Sequence, residues 1–285
     1  MRNSRKKHIP VRILLAILTV LLLAPVVLTA LYSFFAPSEI REYMAARNNY
    51  SADAMMEIRI FPRSFSLEQY YQTLISDRRI LHFFCNSALY TLAILTGQLL
   101  ILPAFAFALS CFRFRGRDAI AFTVVLLMVL PFQVLMVPNV LTLRALNLLN
   151  TPYAVILPAV ASPFIIFLLR QYMVGIPREL IQAAQIDGAR PLSCFLRVIL
   201  PICGPVLGAT VALSFADCWN LVEQPLAYLT LREDLYPLSA VFGRLSSNIT
   251  GNEFAGAVLF ILPALFVYMY FQEDIIEGIQ LTDFR

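Results

Sequence analysis

The sequence predicts an all-α membrane protein with six transmembrane helices, and three observations carry that prediction. Of its 285 residues, 59% are hydrophobic and only 14% are charged, against about 25% charged in an ordinary soluble domain. Apolar runs of roughly 20 residues, the length needed to cross a bilayer, recur along the chain. The basic residues are also spread unevenly over the connecting segments, which is how a multi-pass protein fixes its orientation.

The first run follows a basic tail, residues 1–10, that holds the only lysines, Lys6 and Lys7, together with Arg2 and Arg5. Residues 11–35 are apolar apart from Arg12, with Pro25 expected to kink them. A secretory signal has an apolar core of only about 7–15 residues. This longer run therefore reads as an uncleaved first transmembrane helix with its basic tail in the cytoplasm. Residues 36–80 form the longest polar segment and are expected outside; near their end Ser66 is placed to cap a helix starting at Leu67.

The second span is expected from about 83 to 112, and it leads into a very short loop crowded by Arg113, Arg115 and Arg117. Those arginines read as the charges that orient the span. Further spans are expected at about 119–137, 152–169, 201–222 and 254–271. Residues 81–271 make up the core, and 272–285 form an acidic tail expected to be solvated. Six spans put both ends on the same side. The basic bias between the two sides is then modest in total, and clear once the long external loop is discounted.

Several chemistries are excluded. A phosphate-binding P-loop requires G-x-x-x-x-G-K-[ST], and no glycine precedes either lysine. His8 and His82 are the only histidines, which removes H-E-x-x-H and leaves little basis for a Ser-His-Asp arrangement. Cys85, Cys111, Cys194, Cys203 and Cys218 are scattered, with no C-x-x-C pair, and in or beside spans they behave as small apolar residues. No catalytic residue, metal, cofactor or nucleic-acid partner is expected.

One stretch is polar enough for water yet lies between long apolar runs. Residues 176–201 read IPRELIQAAQIDGARPLSCFLRVILP. Pro177 and Pro191 stand where helices can start. Asp187-Gly188 is a turn dipeptide whose glycine tolerates a positive φ. Leu180, Ala183, Ala184 and Asp187 share one face of the first helix; Leu192, Phe195 and Ile199 share one face of the second. The small alanines would let another surface come close, and Phe195 would offer it one large anchor. Ala184 and Gly188 are expected to be essential to that docking.

This hairpin resembles the coupling loop of permease subunits of ABC importers, whose pattern is roughly E-A-A-x-x-D-G-A followed by an apolar helix ending in L-P. Here it reads Gln182-Ala183-Ala184-x-x-Asp187-Gly188-Ala189, closed by Leu200-Pro201, with Gln182 where the family usually has Glu. Asn86-Ser87, Ala106-Phe107-Ala108 with Phe114-Arg115-Gly116-Arg117, the run 146–151 (LNLLNT) and Trp219-Asn220 with Pro225-Leu226 are similar to other family signatures. The resemblance implies the type I ABC importer permease fold and, more narrowly, the shorter permease of a maltose-type carbohydrate importer.

By that resemblance the chain is a membrane permease subunit of an ATP-driven importer for a sugar or oligosaccharide, with no ATP hydrolysis of its own. Its expected partners are a second homologous permease, two ATP-binding subunits, an extracytoplasmic solute-binding protein and the lipid bilayer of the plasma membrane. The coupling loop, residues 176–199, would dock on the ATPase through Glu179, Gln182, Ala183, Ala184, Asp187, Gly188, Ala189 and Phe195. A gated channel or secondary transporter is the competing class, but it would be expected to carry intramembrane charges along its path.

Candidates for the solute path lie at the end of the fifth span. Asp217 falls about 16 residues into a span that starts inside, roughly 24 Å along it at the usual helical rise. With Trp219 and Asn220 it would suit a sugar, whose hydroxyls need polar partners and whose faces can lie on an aromatic ring. The same residues also fit an interfacial aromatic with polar helix-packing neighbours. Gln133 is a further candidate, with a helix-to-helix hydrogen bond as its alternative.

Overall fold

The computed structural model describes residues 9–48, 61–76, 78–244 and 253–280. The basic tail through His8 and the last five residues lie outside that range, as does much of the expected external loop. The chain divides into two compact units. One comprises Met1–His82 with Leu245–Leu262; the other comprises Phe83–Arg244 with Pro263–Arg285.

In the first unit, α1 (Ile9–Tyr32) runs through Pro25 without interruption. After a turn comes α2 (Pro37–Asn48), a helix that the polar composition of this segment did not announce. α3 (Glu68–Tyr71) continues into a wider π-turn, Gln72–Ser76. Ser66 does not precede the helix directly, but its hydroxyl accepts the Glu68 N–H at 3.1 Å. The unit is held by Gln69, which is fully buried. Its Nε2 donates to the Tyr32 and Phe35 carbonyls at 2.7 and 2.8 Å, and its Oε1 accepts from Ala255 N at 3.3 Å. The last carbonyls of a helix have no partner within it, so Gln69 closes the end of α1.

The second unit takes in α4 (Arg78–Cys111) from Phe83 onward, followed by α5 (Arg117–Val129) and α6 (Phe132–Ala145). The span expected at about 119–137 falls on this pair, which is not straight. α5 and α6 are bent by 110° to one another because Pro131 follows Leu130. A residue before proline is pushed out of the helical region, and Leu130 is extended, at ψ 128°. The next span is α7 (Pro152–Val160) and α8 (Pro163–Val174), broken between them. Then come α9 (Arg178–Ile186), α10 (Pro191–Ile202) and α11 (Gly204–Trp219), the last two bent by 74°. α12 (Glu223–Tyr228), a 3-10 turn and α13 (Leu238–Arg244) lead to α14 (Glu253–Gln280).

Four helical stretches among the described residues are long and apolar enough to cross a membrane, Val11–Tyr32, Arg78–Cys111, Pro152–Val174 and Glu253–Ile276, and the two bent pairs bring the total to as many as six. α14 runs past the expected end of the sixth span. Asp274 is not free in solvent: its carboxylate lies where a Cβ on Gly208 of α11 would have to sit.

Apolar side chains gather at both ends of the second unit. Near the α9–α10 hairpin, Leu102, Phe107, Leu169, Met173, Phe195 and Ile199 form one core. Toward the other end, Tyr90, Ile94, Val155, Leu229 and Tyr236 form a second, and Leu143, Ala154 and Tyr228 a third.

Candidate functional site

The hairpin owes its sharp turn to backbone chemistry. Gly188 sits at φ +82°, its N–H bonds to the Gln185 carbonyl at 3.0 Å, and the Ala189 N–H reaches back to the Ala184 carbonyl at 2.9 Å. This is a Schellman closure, in which two carbonyls left over at a helix end are satisfied by the two residues past it. Ala184 and Ala189 are the residues joined by the second of these bonds, and both are half-buried. The A-x-x-D-G-A spacing therefore has a structural cause: a small residue on either side of a left-handed glycine.

Below that turn the hairpin rests on the core. Ile181 and Ala184 pack against it from α9. Phe195 is only 8% exposed, and its ring lies 5.1 Å from that of Phe107 on α4. The expectation that Phe195 anchors a partner is thus corrected: the aromatic ring faces this chain's own core, where Phe195 and Ile199 of the second helix are both buried. What points outward is different. Ile186 is 87% and Leu192 67% exposed, and Leu180, Ala183 and Leu196 are exposed too. Arg178, Glu179, Gln182, Gln185, Asp187, Arg190 and Arg197 surround them with polar groups. An apolar tip rimmed by polar residues is what an interaction site looks like. Sequence reasoning passed over Ile186 because it lies off the shared face of Leu180, Ala184 and Asp187.

The candidate path residues are placed unevenly. Asp217 and Asn220 are exposed, and Asn220 Nδ2 donates to the Ala216 carbonyl at 2.9 Å. Trp219 is 3% exposed, stacked on Phe215 and edge-on to Phe84, each with ring centroids 5.4 Å apart. It forms wall rather than open surface. Gln133 on α6 donates to both carboxylate oxygens of Glu223 on α12, at 3.1 and 3.0 Å.

The same end of the unit is braced by residues whose roles the sequence did not reveal. Asn86 Nδ2 donates to the Asp234 and Tyr236 carbonyls at 2.9 and 3.1 Å, Ser87 Oγ accepts the Leu238 N–H at 2.8 Å, and Tyr90 OH donates to the Leu235 carbonyl at 2.7 Å. Three residues of α4 thereby hold the loop at 234–238. A second Schellman closure ends α6, with Asn147 at φ +55° and Leu148 N bonded to the Leu143 carbonyl at 2.9 Å. Asn150, at φ +60°, donates its N–H to the Tyr228 carbonyl and accepts the Leu231 N–H on its side chain, both at 2.9 Å. The L-N-L-L-N-T run is therefore a double turn that fastens α6 to α12.

Comparison with known proteins places this geometry in context. Residues 101–276 match the family described as binding-protein-dependent transport system inner membrane component. An arabinooligosaccharides transport system permease protein of Halalkalibacterium halodurans is 34% identical over 200 residues, covering 69% of this chain and 71% of the relative. Its counterpart in Bacillus subtilis is 29% identical over 228 residues, covering 79% and 80%. A lactose transport system permease protein of Rhizobium radiobacter is 30% identical over 198 residues, covering 68% and 72%. The fold is that of a chain in the crystal structure of a bacterial ABC transporter involved in import of the acidic polysaccharide alginate. That chain superposes with a TM-score of 0.71 at 24% identity, covering 100% of this chain and 99% of that one.

Proposed function

We propose, from the premise that this chain belongs to the binding-protein-dependent transport system inner membrane components, that it carries a sugar or oligosaccharide and is driven through the hairpin at 176–199. Membership makes it a multi-pass plasma-membrane permease subunit of an ABC importer, and not itself an enzyme. An ATPase and a solute-binding protein are the partners that such a subunit works with. The finer assignment is a complex with one further, homologous permease and two ATP-binding subunits, and with both termini of this chain in the cytoplasm.

The observation that carries the coupling role is the exposed apolar tip of a hairpin whose base is locked into the core. Ile186, Leu192 and Leu180 supply area to bury, and Glu179, Gln182 and Asp187 supply the polar rim; Ala183, Ala184, Gly188 and Ala189 keep the turn narrow enough to enter a cleft. ATP-driven closure of the ATPase pair moves this tip. Because Phe195, Ile199 and Ile181 tie it to α4 and α8, the motion passes into the spans, and the cavity turns toward the binding protein.

For the solute, support comes from the relatives' sugar substrates and from the polar groups on the α11 end. Asp217 and Asn220 offer exposed hydrogen-bonding groups for hydroxyls, and Gln133 adds an amide. Trp219 contributes shape, its ring fixed by Phe84 and Phe215. The permease core at 81–271 contains both regions. The test is uptake by the reconstituted importer of radiolabelled arabino-, chito- and galacto-oligosaccharides and of sn-glycerol 3-phosphate. ATP-dependent accumulation of at least one oligosaccharide is expected, and transport of glycerol phosphate alone would overturn the sugar reading.

A further inference from the structure

We propose that Gln98, in the middle of α4, is a positioning residue for transport: it pins the break between α7 and α8, about which the α8 half pivots when the hairpin is driven. The inference rests on the coupling role proposed above for that hairpin.

The break creates its own chemical need. In an α-helix the Ala159 carbonyl would accept the N–H of residue 163, which here is Pro163 and has none. A carbonyl stranded within a membrane must find another donor. Gln98 Nε2 supplies it at 2.9 Å, and Ser162 restarts the chain by capping α8 through the Ile165 N–H. The other end of the same amide is also used: Gln98 Oε1 accepts the hydroxyl of Ser214 on α11. One buried side chain therefore ties α4 to the end of α7 and to the middle of α11. Gly97 beside it allows close approach, since a Cβ there would fall 2.7 Å from Val160 Cγ2.

α8 is the natural lever. Its far end, Val174, leads within a few residues to the hairpin helix α9, and its own face carries Leu169 and Met173 into the hairpin-side core. Beside Gln98 lies a small, partly open cleft, lined among others by Leu169, Leu207 and Thr210. A lever cut at residues 161–162, with a pin at the cut, makes a hinge. Moving the hairpin then swings α8 and leaves α7 registered against α4.

The test uses the assembled importer in nanodiscs, with and without ATP plus vanadate, followed by hydrogen–deuterium exchange. In the wild type, ATP–vanadate should change exchange at both 178–192 and 159–165. Gln98→Leu, which keeps the volume and loses both bonds, should reduce the change at 159–165 at least threefold while subunit composition and the response at 178–192 persist. Ser214→Ala, which removes one arm, should give an intermediate loss, and Leu207→Phe, which adds bulk beside Leu169 of α8, should suppress the change with the hydrogen bonds intact. A complex whose thermal stability falls on Gln98→Leu but whose response at 159–165 is undiminished overturns the pivot, leaving Gln98 a purely structural bond. Should Gln98→Leu fail to assemble, undiminished responses in both other variants overturn it equally. Absence of any nucleotide response at 178–192 in the wild type would instead overturn the coupling role on which the pivot depends.

Discussion

Replacing Gly188 with valine tests the hairpin at its narrowest point. Gly188 is left-handed at φ +82°, and no atom lies within 4 Å of the position a Cβ would take. The cost is thus confined to the backbone. Holding a non-glycine residue in that region costs about 1–3 kcal/mol, with a β-branched side chain toward the upper end. The alternative is to let the turn open and lose two hydrogen bonds, from Gly188 N and Ala189 N, each worth about 0.5–1.5 kcal/mol net. Either route disfavours the observed turn by about 2–3 kcal/mol, which is roughly 30- to 150-fold at 1.4 kcal/mol per decade. The assay is solute-stimulated ATP hydrolysis by the purified complex. Gly188→Val should lose most of its stimulation, whereas Gly188→Asn, tolerated in the left-handed region, should stay near wild type. Full stimulation of Gly188→Val in a complex that retains every subunit would show that coupling does not need this turn.

Two other expectations separate the two faces of the hairpin and the two ends of the fold. Phe195→Ala should cost about 3–5 kcal/mol as a large-to-small core change, read as a lower unfolding temperature. Ile186→Ala should leave stability within about 0.5 kcal/mol and weaken recovery of the ATPase; the reverse pattern would mean that the faces are assigned the wrong way round. Asn86→Ala removes two hydrogen bonds to the loop at 234–238, so a loss of about 1–3 kcal/mol is expected, with faster amide exchange in that loop and an unchanged ATPase association.

Much of this architecture could be read from the residues, for identifiable reasons. The spans were legible because length and hydropathy alone decide whether a segment can cross a bilayer. The hairpin was legible because Pro177, Pro191 and Asp187-Gly188 are strong local signals. The bend at Pro131 was missed because an apolar run of the right length says nothing about direction, although the proline was in view. The inward turn of Phe195 was missed because a helical period says which residues share a face but not what that face meets: Phe195 and Ile199 do lie together, against this chain's own core. Gln98 and Asn86 could not be assigned from sequence at all. Their amide nitrogens bond the main-chain carbonyls of Ala159, Asp234 and Tyr236, and a carbonyl leaves no trace in residue identity.

Coupling through the hairpin is tested by recovery of the complex through an affinity tag on this chain, solubilised in mild detergent, with every copurifying subunit identified. An ATP-binding subunit and a second permease should be recovered with wild type, and the ATP-binding subunit should be selectively lost when Ile186 and Leu192 are both changed to aspartate. Recovery of this chain folded and alone, or undiminished ATPase retention by the double variant, would contradict it.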